Sequence, residues 1–264
     1  MKLEVCLPAR VVFARGAIDR LGELAAPWGT RAALVRGGSH LERLGTLERV
    51  RSELNAVGID CVEFTFVGEP DTIAVDTATQ LARKHACDMV VGLGGGAVLD
   101  AAKAVSGLLS LGGEALDYLE VVGRGKPIAA ACAPMIAIPT TAGTGSETTL
   151  AAVITDSRTR QKHVLMSFPL IPRYAVLDAS LTYTLPPQLT VTTGMDALTH
   201  AVEAYIGRST TKETRRLALE AAGLVFENVR TAYAEGNNHP ARENMLHAAY
   251  KAGIAFSKSY VGYI

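Results

Sequence analysis

The chain has 264 residues and carries 26 Lys and Arg against 26 Asp and Glu, so it has no net charge with which to attract nucleic-acid phosphates or an anionic membrane. Hydrophobic residues at 48%, charged residues at 20% and 25 glycines describe a folded chain with a core, not a disordered or fibrous one. At roughly 150 residues per domain this length predicts two lobes or one large one, and it is enough to dispense with disulfides or a metal clip for stability. Cys6, Cys61, Cys87 and Cys132 lie far apart without a CxxC, which excludes a local zinc knuckle or redox pair. The N-terminus lacks the apolar run of a signal peptide. The most apolar stretch, Ile128 to Ile138, contains Pro134 and is about half of what a bilayer requires. The expectation is a cytoplasmic protein with neither nucleic acid nor membrane as partner.

In chain order, Arg31 to Arg36 reads as a buried strand stopped by Gly37-Gly38, and His40 to Val57 shows one helical period ended by Gly58. Cys61 to Phe66 alternates as a strand, and Thr72 to Ala86 returns to helical spacing with Asp71 or Thr72 as its N-cap. Met89 to Leu93 is a third strand and Val98 to Leu109 a third helix. This order predicts an α/β fold, a parallel sheet with helices on both faces and ligands at the strands' carboxyl ends. Past Pro186-Pro187 the pattern is helical only, over Met195 to Ile206, Lys212 to Tyr233 and Ala241 to Ser257. The predicted division is 1–181 for the α/β domain and 182–264 for a helical one.

Three segments carry chemistry. Gly94-Gly95-Gly96 falls between a strand and a helix, where glycine lets backbone approach a ligand and the helix start offers free N–H groups to a pyrophosphate. Gly92-x-Gly94-x-x-Ala97 also matches the dinucleotide fingerprint, although no acidic strand end follows it. Asp100, in the first turn of the next helix, lies near such phosphates, while Asp100 and Lys103 together are also consistent with a surface pair. Residues 139–147, PTTAGTGSE, place the hydroxyls of Thr140, Thr141, Thr144 and Ser146 at a strand's end, where they offer donors to a nucleotide or polar substrate. Asp196 and His200, four apart, project from one helix face as two ligands for a divalent metal. The remaining histidines, His40, His85, His163, His239 and His247, read as surface or capping residues.

Together, in this order and spacing, Gly94 to Lys103, the intact PTTAGTGSE and Met195 to Glu203 resemble the iron-dependent alcohol dehydrogenase family. Lesser matches are Pro8 to Gly16, Glu69-Pro70, Thr155-Asp156 with Lys162, and Ala252 to Phe256. The resemblance implies a Rossmann-like domain followed by a helical one, incomplete here, with the active site in the cleft. It implies pyrophosphate contacts at Gly95, Gly96 and Ala97, and further contacts to NAD or NADP at Asp100, Thr140, Thr141, Thr144, Thr149 and Lys162. Iron(II) or zinc held by Asp196 and His200 is implied as the Lewis acid in hydride transfer between the nicotinamide and an alcohol or aldehyde. Asp100 joins these two ligands as a candidate catalytic residue. Family members run on past the segment Tyr260 to Ile264 to two more histidine ligands. The alternatives are a nucleotide-binding piece without catalysis or a dehydroquinate-synthase-like member. Gly37 stands where many NAD-preferring relatives carry an aspartate, and with Arg36 beside it NADP or dual use is expected. A homodimer or higher homo-oligomer, paired through a strand over Glu4 to Phe13, is expected by the same analogy.

Overall fold

The central strands are buried on both faces, and the alternation of their side chains divides the α/β part into two cores. In the computed structural model, which describes residues 7–128 and 131–259, β2 is Arg31–Arg36, with Ala33 and Val35 on one face and Ala32 and Leu34 on the other. Strand β4, Met89–Gly94, does the same, with Val90 opposed to Met89, Val91 and Leu93. The first face is covered by α4, Thr72–Lys84, and α5, Gly96–Leu111; the second by α1, Leu21–Ala25, and α3, Thr46–Asn55. Asp71 caps α4 by accepting from the Ala74 N–H at 2.8 Å.

With β1 at Arg10–Phe13, β3 at Asp60–Thr65, β5 at Met135–Pro139 and β8 at Tyr174–Leu177, the six-stranded sheet runs β1-β8-β5-β4-β2-β3 with every pair parallel. The chain leaves β2 toward β3 and leaves β4 toward β5, on the opposite side. Such a reversal opens a crevice at the carboxyl ends of the two strands. Gly37 and Gly95 end those two strands, and the Gly37 N–H donates to the Leu93 carbonyl at 3.1 Å.

Several sequence expectations change. The helix over His40 to Val57 is two helices, α2 at His40–Arg43 and α3, because Gly45 at φ 70° turns the chain between them. Strand β8 and an antiparallel hairpin of β6, Ala151–Thr155, and β7, Lys162–Met166, are additional to the strands expected from the sequence. These strands are short, and β6 and β7 form a sheet of their own, with Thr155 at the end of β6 bridged to Asp71. A four-residue helix, α6 at Ala115–Tyr118, is likewise additional. Pro186-Pro187 does not interrupt the chain before a helix at Met195; Pro187 is the first residue of α7, Pro187–Ile206, a position where a missing N–H costs nothing. His247 is not a surface residue but stacks on Phe13 with centroids 4.5 Å apart, and His163 has a buried ring nitrogen without a partner among the described residues. Cys61, Cys87 and Cys132 are free thiols, while Cys6, the start of the Glu4 to Phe13 strand and the Tyr260 to Ile264 segment lie outside the described residues.

α7, α8 (Lys212–Ala234) and α9 (His239–Ser259) pack as a bundle. Alanines 197, 201 and 204 of α7 meet 218 and 221 of α8 and 248, 249, 252 and 255 of α9, all buried, so the axes approach closely. Among the described residues no helix is long and apolar enough to cross a membrane.

Helix α5 reaches the sheet closely for the same reason. A Cβ on Gly92 of β4 would stand 2.9 Å from the Ala102 Cβ and 3.1 Å from Leu99 Cδ2 and Met135 Cε. Gly92→Ala should therefore cost about 1–3 kcal/mol through overpacking, read as a lower urea midpoint at unchanged m-value.

Candidate functional site

The carboxyl ends of β4 and β5 open into a cavity of about 540 Å³. Its floor is the start of α5, Gly96, Ala97 and Asp100, and one side is the PTTAGTGSE segment with its continuation toward β6, lined by Thr144, Ser146, Thr149 and Leu150. Opposite stand Asp196 and His200 of α7 with Phe256 and Ser257 of α9. The β6–β7 hairpin closes it with Ala151, Val153, Lys162, Val164 and Met166, and Glu69 completes the rim.

At the floor, the N–H groups of Val98 and Leu99 both donate to the Gly95 carbonyl, at 3.0 Å each. Gly96 and Ala97, earlier in the same turn, line the cavity, and N–H groups of a first helical turn have no intrahelical partner, which favours an anion. A Cβ on Gly96 would lie 2.4 Å from Thr144 Cγ2, so glycine is what lets the two segments meet.

Asp100 and Lys103 are not a surface pair. Lys103 is 0% exposed, and its ammonium donates to Thr149 Oγ1 and the Ala151 carbonyl, both at 2.6 Å, with Asp100 Oδ1 at 3.6 Å. Asp100 accepts from Ser146 Oγ at 2.6 Å and from the Val153 N–H at 3.1 Å. An ammonium taken from water demands such partners; here they are the segment and β6, which α5 thereby pins. Burial lowers the Lys103 pKa, and the nearby Asp100 and Glu147 carboxyls oppose that shift. Glu147, also wholly buried, has its carboxyl pushed up to about 7 by burial, and its Oε1 has no partner among the described residues.

On the far side, His200 Nε2 and Asp196 Oδ1 are 3.6 Å apart, too far for a hydrogen bond. Two ligands of one tetrahedral zinc stand about 3.4 Å apart, so the pair suits adjacent positions on a common ion. His200 Nδ1 is buried without a partner among the described residues, and the ring is held by Phe256, with centroids 4.4 Å apart. The donors fit two positions of a metal site. Among the described residues no cluster of three or more His, Cys, Asp or Glu side chains completes one.

Of the expected cofactor residues, Gly96, Ala97, Asp100, Thr144, Thr149 and Lys162 line the cavity together with both metal candidates. Gly95, Thr140 and Thr141 lie just behind it: a Cβ on Gly95 would meet Thr141 at 3.3 Å, and the Thr140 N–H is bonded to the Gly94 carbonyl. Gly37 sits one strand away at the switch point. Arg36 is not free to receive a phosphate, since its guanidinium holds Glu63 at 3.1 Å, Glu42 at 3.0 Å and the Gly37 carbonyl at 3.2 Å. Lys162 is paired with Glu69 at 3.1 Å on the rim. Sequence reasoning assigned no role to the apolar wall, Leu150, Val153, Val164 and Met166, whose only signal was a short alternation in two brief strands, or to Phe256 against His200.

A family model described as "Iron-containing alcohol dehydrogenase" matches residues 8–179, and one described as "Fe-containing alcohol dehydrogenase family, C-terminal" matches 190–264. The chain is 36% identical over 259 residues to an NAD-dependent methanol dehydrogenase of Bacillus methanolicus, covering 98% of this chain and 67% of that protein. It is 35% identical over 255 residues to a 1,3-propanediol dehydrogenase of Citrobacter freundii, covering 96% and 65%. A crystal structure of sulfoacetaldehyde reductase from Bifidobacterium kashiwanohense in complex with NAD+ matches with a TM-score of 0.90 at 32% identity, over 97% of this chain and 67% of that one. The chain spans about two thirds of the length of the curated relatives it matches.

The Gly96–Thr144 contact is open to a double-mutant cycle. Gly96→Ala should destabilise by about 1–3 kcal/mol, and Thr144→Ser, which removes the clashing methyl, should restore part of that loss in the double variant, giving a non-additive cycle in urea denaturation.

Proposed function

Because the chain belongs to the iron-containing alcohol dehydrogenase family, we propose that it serves hydride transfer between a nicotinamide cofactor, NAD or NADP, and a small alcohol or aldehyde. The observation that carries this reading is the meeting, in one cavity, of a glycine-opened helix start at Gly96 and Ala97 with the metal-donor pair Asp196 and His200.

In this reading the N–H groups of Gly96 and Ala97 bind the pyrophosphate, and Gly95 behind them allows its close approach. The hydroxyls of Thr140, Thr141 and Thr144 are taken to line the cofactor's path, with Gly37 at the crevice between β2 and β4 and Lys162 on the rim. Thr149 and Asp100 act through the bonds that fix the cavity wall. Asp196 and His200 would hold iron(II), or zinc in its place. The nicotinamide supplies or accepts the hydride, and the metal supplies Lewis-acid polarisation of the substrate oxygen. Leu150, Val153, Val164, Met166 and Phe256 exclude water from the transfer.

The reading takes the lobes to meet near residue 181, supported by the end of the last sheet strand at Leu177 and the start of α7 at Pro187. It places the protein in the cytoplasm, where nicotinamide pools are held, and assigns it a homodimer or higher homo-oligomer, for which β1 at the sheet edge is the available strand.

The test is NADH titration by fluorescence combined with metal content on protein purified anaerobically with iron(II) and zinc offered. NADH should bind, about one ion per chain should be retained, and His200→Ala should lose the ion while leaving NADH affinity in place. An ion without NADH binding sinks the oxidoreductase reading. NADH binding without an ion favours the cofactor-binding, non-catalytic alternative.

A further inference from the structure

The segment that carries the hydroxyls is itself gripped from two sides. On one side is α5, with Lys103 and Asp100 bonded to Ser146, Thr149, Ala151 and Val153. On the other is α9: a Cβ on Gly145 would lie 2.6 Å from Gly253 Cα, one on Gly253 would lie 2.5 Å from Thr148 Oγ1, and Ser257 Oγ donates to the Thr148 carbonyl at 3.4 Å. Glu147 lies between, 2% exposed, with Oε1 unbonded among the described residues.

We propose that Glu147 and Lys103 are positioning residues for the cofactor cradle, locking residues 145–151 between α5 and α9 so that the cavity walls contributed by the nucleotide lobe and by Phe256 and Ser257 stay in register. The proposal rests on the oxidoreductase reading above.

Charge balance gives each residue its state. Asp100, already bonded to Ser146 and Val153, offsets the Lys103 ammonium, so a second ionised carboxylate in the same dry junction lacks a cation of its own. The charged or titratable groups facing Glu147 are Lys103, with Asp100 beyond it, from α5, and Tyr250 from α9, whose own pKa is raised by burial and by Glu147. Burial therefore holds the Glu147 proton up to about 7, against an ordinary 4.5. The unfolded chain gives up that proton first, so the contribution of Glu147 to closure is complete below about 4.5 and lost as pH rises through about 7. Ionisation leaves an unpaired carboxylate oxygen at the junction and favours its opening. Linkage makes the effect reciprocal: if the closed junction is what binds cofactor, cofactor affinity falls over the same window.

The experiment compares the wild-type chain with Glu147→Gln, which keeps shape without a charge, at about pH 6 and about pH 8.5. Hydrogen exchange of residues 145–151, corrected for intrinsic rates and measured without cofactor, reads the junction, and NADH fluorescence titration reads the cradle. Expected for wild type are loss of protection and a roughly fivefold weaker NADH affinity at the higher pH. In Glu147→Gln both should be flat with pH. Glu147→Met serves as a second neutral variant should the Gln form not fold, with the same flat profile expected. Parallel pH profiles in wild type and variant overturn the proposal, as does pH-dependent exchange with an unchanged NADH affinity. Absence of NADH binding by wild type at both pH values overturns the oxidoreductase reading and the cradle with it; the exchange profile then shows separately whether the junction itself behaves as described.

Discussion

The architecture of the cavity depends on one buried ammonium. Lys103 is wholly buried on α5, where a lysine without partners would be expelled, and its ammonium donates to Thr149 Oγ1 and the Ala151 carbonyl, with the Asp100 carboxylate 3.6 Å away. Thr149 belongs to a loop with little regular structure and Ala151 is the first residue of a two-stranded hairpin, neither of them a strand of the six-stranded sheet. The cost of burying the charge is met only while that loop stays where it is. Helix α5 therefore carries the turn at its own start and fixes the wall opposite.

Close approach is the second constraint, and it follows from small residues. Glycines at 92, 96, 145 and 253 stand where a Cβ would meet a neighbour inside van der Waals contact, and they fall in a row from β4 through α5 and the 144–149 segment to α9. The alanine seams of α7, α8 and α9 continue the pattern in the bundle. In consequence the helix that carries Phe256 and Ser257 comes close to the loop, while His247 of the same helix stacks on Phe13 of β1, and Asp196 and His200 line the same cavity as Gly96.

The cavity is polar at its floor and rim and apolar on the hairpin side. That suits a ligand that is charged at one end and must keep water from the other, as the proposed nicotinamide and substrate would be. Lys162 is already paired with Glu69, and Arg36, near the switch point, with Glu63 and Glu42. Any discrimination between NAD and NADP thus starts from engaged side chains rather than from a waiting cation.

By itself the sequence determined the parallel α/β plan, the helical region after Pro187, the glycine-rich turn from strand to helix at Gly94 to Gly96 and the shared helix face of Asp196 and His200. Each of these is a local matter of period, capping or i,i+4 spacing. Only the tertiary structure decided that Lys103 is buried rather than paired at the surface, that Arg36 is occupied, that β6 and β7 roof the cavity, and that Glu147 is caught between α5 and α9. These depend on partners between about 27 and more than 100 residues away in the chain, such as Glu63 for Arg36, Ala151 for Lys103 and Gly253 for Gly145. No local pattern records which face of a helix will meet a loop from elsewhere in the fold; burial and its demand for bonded partners settle that only when the chain is assembled.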